Sequence, residues 1–505
     1  VSLPAWLDPL FEAEEMRAAD AYAIEEREVP SLDLMERAGA GLTRLVAAHA
    51  TDGPVRVVVG KGNNGGDGLV VARLLREEGR EADVLAVADL GEAQGDVAAN
   101  LERLPGDPPH DFSPEVLEQS GAVVDAMLGT GFEGTPREPI ASAIEAINAQ
   151  DAPVIACDAP SGVNASTGEI EGDAVRAAAT GTFHGAKLGL LVNPGATHAG
   201  AVEVIDIGIP RGAPSGEVAG LISDRVLDLY PRRGREGTKF ASGVVVVVGG
   251  SEGLTGAPTM AALSAQRAGG GYVQVAVPAP AQPTIDLRLL EAMSRGLPDR
   301  DGGHTPEGAE IVEEMAERAG SVVLGPGLGR AEGAAEFARE VARRVEAPLV
   351  IDADGLNAHA GALESLRERS APTVLTPHEG ELGRLLERDK DEVAAHRLAS
   401  VREAAELSGA VVLLKGDDTL IAVPGGPVAV SPGGSPALAT AGTGDVLSGV
   451  IGTLLAKGLE AFEAASLGCL AHVRAGRTAA EVHGADHVVA GDVIESLPQG
   501  FRSIP

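Results

Sequence analysis

Only two cysteines, Cys157 and Cys469, occur in 505 residues, each within or beside an apolar segment. That excludes a disulfide framework and points to buried thiols in a reducing compartment, with the cytoplasm as the expected location. Aromatic residues make up 2% of the chain, and lysine is scarce beside arginine. Forty basic residues face 74 acidic ones, a formal charge of -34, which excludes a general nucleic-acid binder because phosphate contacts need Lys and Arg. The acidity is spread along the chain and forms no tail. Such a halophile-like surface suits a high-salt cytoplasm, where screening relieves self-repulsion. No run approaches the roughly 18 apolar residues of a membrane span. The opening "VSLPAWLDPLFEAEEMRAAD" lacks the basic-then-apolar layout of a secretion signal, so no membrane partner is expected.

What is present is a globular composition, 44% hydrophobic, in a chain too long for one ordinary core. In the first half the apolar runs "VRVVV", "ADVLAVA", "AVVDAML" and "APVIACDA" alternate with helical patterns such as "GLVVARLLREEGR". Continuous apolar strands separated by helices predict a parallel sheet covered on both faces. The Pro- and Gly-rich "IPRGAPSGEVAG" (209–220) breaks the pattern and reads as a linker. The second half restarts with "GVVVVVGG" and continues through "GSVVLGPGLG", "APLVIDADG" and "AVVLLKGDDTLIA" to a helix-rich end, with no repeat of the first half. Two unrelated α/β domains are expected, over 1–212 and 222–505, joined by 213–221. Residues up to about 50 read as helical.

"GKGNNGGDG" (60–68) follows a strand and opens a helix, where ligands of open α/β sheets sit. Its glycines let backbone N–H groups approach a ligand closely. It is neither a Walker loop nor a GxGxxG fingerprint, and a tight turn with Asp67 as helix cap remains open. Three further strand ends bear on the choice: Asp125 before a second Gly-rich loop, Asp158 with Ser161, and Lys187 in apolar company. They read either as caps, turns and a snorkelling lysine, or as converging oxygen ligands for a cation. Asp158 with Lys187 could serve as an acid/base pair.

"GKGNNGGDGLVVARLL", "VVDAMLGTGFEGTPREP", "CDAPSGVNASTGE" and "HGAKLGLL" together resemble the NAD(P)H-hydrate epimerases over nearly all of residues 10–212. The resemblance implies a Rossmann-like domain that interconverts the R and S forms of NADHX and NADPHX, coenzymes bearing a hydroxyl at C6 of the nicotinamide ring. It implies substrate contacts at Asn63, Asn64, Gly65, Gly66 and Asp67, at Gly129, Thr130, Gly131, Phe132, Glu133, Gly134 and Thr135, and at Asp158. A potassium ion would sit among Asn64, Asp125 and Ser161, and Asp158 with Lys187 would transfer the proton. Where many members have Gly-Ala-Leu-Lys-Pro-Gly this chain has "GAKLGL", which puts the register of Lys187 in doubt.

In "ALATAGTGDVLSGVIGTLLAKG" (437–458), Gly442 and Gly444 flank Thr443, and Asp445 follows at the head of an apolar helical pattern. Amides at a helix N-terminus stabilise phosphate charge, and an aspartate there can take a proton from a hydroxyl. Alternatively, Asp445 is simply a first-turn acid favoured by the helix dipole. With "GGSEGLTGAPTM", "LGPGLGR", "VIDADGLNA", "TPHEGEL" and "LLKGDDTLIA", the stretch resembles the ADP-dependent NAD(P)H-hydrate dehydratases, a ribokinase-like branch, over about residues 222–500. That resemblance implies removal of water from the S hydrate with ADP as co-substrate and Mg²⁺. Substrate contacts would fall at Ala257, Gly327, His378 and Asp445, with Asp445 as the base. The nucleotide would lie along Lys415, Gly416, Asp417, Asp418 and Thr419 and against Gly442, Thr443 and Gly444. Asp354 and Glu379 are weaker candidates for ordering metal or water.

The expectation is therefore a bifunctional repair enzyme of two three-layer α/β/α domains, probed by small molecules only and forming a homo-oligomer. Two other readings stay open: a ribokinase-like kinase of thiazole or pyrimidine alcohols, and a first half that binds without catalysing.

Overall fold

The computed structural model describes residues 3–235 and 237–502. The chain forms two compact units, one of residues 9–220, the other of 221–505 together with the first eight residues. Both are α/β, as expected. Among the described residues no helix is long and apolar enough to cross a membrane.

The first unit is built on a seven-stranded sheet whose strands run in the order His110–Asp111, Ala82–Ala86, Val55–Val59, Ala122–Ala126, Val154–Cys157, Ala179–Phe183, Ala201–Ile205. Every pairing is parallel. The valine run at 55–59 is buried on both faces because alternate side chains serve different cores. Val57 and Val59 pack with Leu42, Leu69 and Leu75 on one side, while Val58 packs with Ile144 and Ile147 on the other. The helix expected before residue 50 is Ser31–His49.

From Val55–Val59 the chain moves outward in one direction, then returns to lay Ala122–Ala126 on the other side. Loops leaving two such strands diverge and open a crevice at their carboxyl ends. Gly60 closes the base of that crevice, since a Cβ there would lie 2.2 Å from the Met127 carbonyl oxygen.

The second unit carries an eleven-stranded sheet ordered Leu7–Leu10, Ala219–Ile222, Val428–Val430, Leu420–Ala422, Val411–Leu414, Thr373–Leu375, Leu349–Ile351, Ser321–Leu324, Val244–Val248, Tyr272–Pro278, Met293–Leu297. The strands from Val411–Leu414 to Met293–Leu297 are parallel, and Leu420–Ala422 and Val428–Val430 add an antiparallel meander. Its reversal of strand order lies between Val244–Val248 and Ser321–Leu324. A Cβ on Gly249 would lie 2.1 Å from the Pro326 carbonyl oxygen, the counterpart of Gly60 and Met127. Several strands have no counterpart among the expected apolar runs, among them His110–Asp111, Met293–Leu297 and Val428–Val430. Leu7–Leu10 lies in a stretch read as helical, and Ala219–Ile222 begins inside the stretch read as linker. Their short, interrupted apolar patterns become strands only because this sheet offers them a partner edge.

Candidate active sites

At the first crevice, the strand Val154–Cys157 ends at Asp158, whose backbone has φ +64°. A non-glycine residue there is uncommon and costs of order 1 kcal/mol or more, so the surroundings must hold it. They do so through both carboxylate oxygens. Oδ1 accepts from Lys187 Nζ at 2.7 Å and from Thr182 Oγ1 and Phe183 N at 3.3 Å; Oδ2 accepts from Thr130 N at 3.3 Å and from the Thr130 hydroxyl. Lys187 is 1% exposed, and its ammonium also donates to Phe183 O at 2.7 Å. A turn through His184 at φ +63° brings Lys187 back to this place. The altered "GAKLGL" motif thus still delivers its lysine to Asp158. Burial alone would raise the Asp158 carboxyl, but the Lys187 charge and the surrounding hydrogen bonds hold it below its usual value.

The helix Asn63–Glu77 starts in the same crevice. Asp67, in its second turn, is buried, and burial with the nearby Asp158 and Asp20 charges pushes its carboxyl well up. Asp67 is therefore not a cap, because Gly62 occupies the cap position. Asn64 Nδ2 donates to Leu128 O at 2.8 Å, leaving Oδ1 beside Gly129. Asp125 is fully buried and accepts from Ser161 N at 2.7 Å, Ser161 Oγ at 2.6 Å and Met127 N at 3.3 Å. Burial raises it to about 6. Asn64 and Ser161 both bond Leu128 and Ser161 bonds Asp125, so the three side chains cluster, and their oxygens with the Leu128 carbonyl are donors of the kind a monovalent cation takes. Gly65 and Gly66 lie buried at the start of the helix, while Asn63 is exposed. The loop through Gly131, Phe132, Glu133, Gly134 and Thr135 continues outward from Thr130, half-buried or exposed.

At the second crevice the helix Thr443–Ala456 begins after Gly442, whose φ of +92° lets the chain turn sharply into the first turn. Thr443 Oγ1 locks that turn by donating to Leu438 O at 2.8 Å and Thr440 O at 2.9 Å. A Cβ on Gly444 would sit 3.4 Å from Lys415 Nζ, so the lysine and the helix amides face one anion-sized gap. Lys415 donates to Asp352 Oδ1 at 2.9 Å and lies 3.8 Å from Glu381 Oε2. Burial, with the Asp352 and Glu381 charges outweighing that of Lys415, lifts Asp445 to about 7. A cavity of about 360 Å³ opens beside this gap, lined by Lys415, Gly416, Asp417, Thr419, Thr443 and Gly444 among others. Its size and mixed lining suit a small ligand.

Not every expected residue enters the cavity wall. Asp418 is buried and accepts from Arg397 Nε at 3.0 Å, and Glu379 accepts from Arg397 Nη1 at 2.7 Å. Asp354 accepts from Gly329 N at 3.1 Å and from Asn357 Nδ2 at 3.0 Å. These three carboxylates hold backbone turns and a buried arginine. Among the described residues, no group of three or more His, Cys, Asp or Glu side chains is placed to hold a metal ion. Magnesium there would depend on oxygens brought by a phosphate ligand. His378 caps the helix Glu379–Leu386, its Nδ1 accepting from Gly380 N at 3.0 Å and Glu381 N at 3.3 Å. Ala257 and Gly327 are brought together at the strand-order reversal, where a Cβ on Gly327 would lie 3.2 Å from that of Ala257.

Residues 245–499 match the family model described as NAD(P)H-hydrate dehydratase, and residues 31–189 match that of the YjeF-related protein N-terminus. The chain is 40% identical to the bifunctional NAD(P)H-hydrate repair enzyme Nnr of Salinibacter ruber, covering 97% of this chain and 96% of that one. It is 39% identical to the same enzyme of Moorella thermoacetica, covering 98% and 97%. The chain belongs to the bifunctional NAD(P)H-hydrate repair enzymes. Among solved structures, it is similar to the ADP/ATP-dependent NAD(P)H-hydrate dehydratase from Bacillus subtilis co-crystallised with ATP and Mg²⁺. That match has 27% identity, covers 56% of this chain and 99% of the other, and has a TM-score of 0.49. The expected pairing of an epimerase with a dehydratase is met, and the kinase reading falls away.

Two acidic groups of this repair enzyme were not singled out from its sequence. Asp20 ends the helix Ala13–Ala21, which the bridge between Phe11 and Lys187 ties to the first crevice. Its carboxyl is raised by burial and senses the Lys187 and Asp158 charges. The π-helical turn Tyr22–Glu26 behind it was the available signal, but one invisible to apolar periodicity. Asp352 stands two residues before Asp354 in "VIDADGLNA".

Proposed function

We propose that the two activities divide between the two crevices, each working through an aspartate set beside a lysine. The R and S hydrates of NADH and NADPH differ at C6, which carries both the hydroxyl and ring nitrogen N1. In the first crevice the Asp158–Lys187 pair takes the hydroxyl proton as the C6–N1 bond opens to an aldehyde. Rotation and reclosure on the other face return the proton and give the other epimer. Asn63 to Asp67 and Gly129 to Thr135 hold the rest of the coenzyme. Asn64, Asp125, Ser161 and the Leu128 carbonyl would hold potassium, whose charge would steady an anionic part of the substrate.

In the second crevice the S hydrate is activated by phosphoryl transfer, because hydroxide is a poor leaving group. Asp445 takes the C6 hydroxyl proton, the oxygen attacks the β-phosphorus of ADP, and AMP departs. Phosphate then leaves with the C6–O bonding pair, and loss of the C5 proton restores the double bond. Lys415 and the amides of Gly442 to Gly444 stabilise the charge on the transferring group, and magnesium would neutralise part of it. Gly416, Asp417 and Thr419 wall the nucleotide, while Ala257, Gly327 and His378 hold the hydrate.

The observation that carries this reading is the approach of Lys415 to Gly444 at the N-terminus of the helix that carries Asp445, beside the cavity that Lys415 and Gly444 line. The test is to incubate the whole chain with mixed epimers and ADP. NADH absorbance should recover in full, with one AMP and one phosphate per NADH; prompt recovery of the S fraction alone, with the R fraction following only at the spontaneous epimerisation rate, would refute the first half.

Buried Cys157 and Cys469, both free thiols, support a reducing, cytoplasmic setting. Exposed Leu287 and Leu290, at 84% and 86%, support self-association.

A further inference from the structure

Asp352 follows the strand Leu349–Ile351 and is 1% exposed. Its two carboxylate oxygens have different partners on different elements. Oδ1 accepts from Lys415, which follows the strand Val411–Leu414, at 2.9 Å. Oδ2 accepts from Ser448 Oγ at 2.5 Å. Ser448 is fully buried one turn behind Gly444, in the helix that carries Asp445. The residue after Asp352, Ala353, has φ +49°, an uncommon conformation for a non-glycine residue.

Lys415 and the amides of Gly442 to Gly444 are two positive walls of one anion gap. In the absence of an anion they repel each other, and Lys415, on a flexible four-carbon stem, needs a partner to hold its ammonium at a fixed distance from the helix. A buried carboxylate bonded to both supplies the missing attraction and the spacing.

We propose that Asp352 is a positioning residue of the dehydratase, clamping Lys415 to the catalytic helix so that the gap fits a transferring phosphoryl group and Asp445 faces the substrate hydroxyl. This deepens the reading of Asp445 as proton acceptor and rests on it. The charged or titratable groups facing Asp445 are Asp352, Lys415 and, from the helix Glu379–Leu386, Glu381. His378 caps that helix, and neutral His472 lines the cavity from the helix Ala461–His483. Removing the Asp352 charge therefore leaves Glu381 as the remaining named carboxylate that raises Asp445 against the Lys415 charge.

The full chain is assayed as Asp352→Asn, Ser448→Ala and Asp445→Asn, with steady-state dehydration of S-NADHX followed against pH and ADP concentration. For Asp352→Asn, turnover should fall by ~10²-fold, as for a displaced catalytic group. Its KM for ADP should rise, and the acidic limb of kcat/KM should move down by about one pH unit. Ser448→Ala keeps the ion pair but loosens the helix, so the KM for ADP should rise several-fold with the limb in place. A folded Asp352→Asn chain with unchanged KM and limb overturns the proposal. If that chain does not fold, an unchanged KM in Ser448→Ala overturns it. Full activity in Asp445→Asn would instead defeat the underlying role of Asp445, a distinct result.

Discussion

Lys187 Nζ lies 2.7 Å from Asp158 Oδ1, with 1% of the lysine side chain exposed against 13% of the aspartate. The aspartate can thus reach a ligand in the crevice, while the lysine ammonium is engaged by the aspartate and the Phe183 carbonyl. Lysine is the anchored member of the pair. Lys187→Met should therefore slow epimerisation and also destabilise the first unit by about 3–5 kcal/mol, since it leaves a buried carboxylate without its counter-charge. Denaturant unfolding of the variant should show an earlier transition for that unit. Asp158 itself, held low, contributes stability above its ordinary range that is lost as pH falls through its folded value.

The two chemistries should separate by mutation. Asp445→Asn should abolish dehydration and spare epimerisation, while Asp158→Ala should do the reverse. Chromatographic separation of R and S hydrates, alongside NADH recovery, reads both in one assay. Loss of both activities in a still-folded single variant would contradict two independent sites.

Asp445 must be ionised to accept a proton, and burial lifts it to about 7. Dehydration should accordingly rise with pH through about 7 and level off above it, an acidic limb seen in kcat/KM. Epimerisation should show no limb there from Asp158, which is held low.

Asp125, raised to about 6 by burial, should make the stability of the first unit depend on pH. A folded value above the unfolded one gives stability that is full below about 4 and lost as pH rises through 6, roughly 3 kcal/mol in all. Potassium, if held beside Asp125 as proposed, should offset this loss. The rise in melting temperature on adding K⁺, with tetramethylammonium as control, should be larger at about pH 8 than at about pH 5. Equal rises at both would argue that the cation binds elsewhere.

Gly249→Ala tests the close approach at the second crevice, where the added Cβ would meet the Pro326 carbonyl at 2.1 Å. Backbone must shift, so the expected result is a destabilised second unit and weaker hydrate binding, seen as an earlier unfolding transition and a raised KM for S-NADHX.

Much of this molecule was legible in its residues. Apolar runs such as "VRVVV" and "GVVVVVGG" specify strands buried on both faces, and the glycine-bracketed turns specify where backbone must approach a ligand. Local sequence determined those features because they depend on side-chain character and backbone freedom at neighbouring positions. The folded chain alone decided the rest. It showed that Lys187 in an altered motif still meets Asp158, and that Asp20 joins them from a helix far earlier in the chain. It turned Asp418 and Glu379 away to a buried arginine and put Asp352 between Lys415 and Ser448. Those outcomes depend on which distant charges share one low-dielectric space, and a linear string of residues carries no distances between its strand ends.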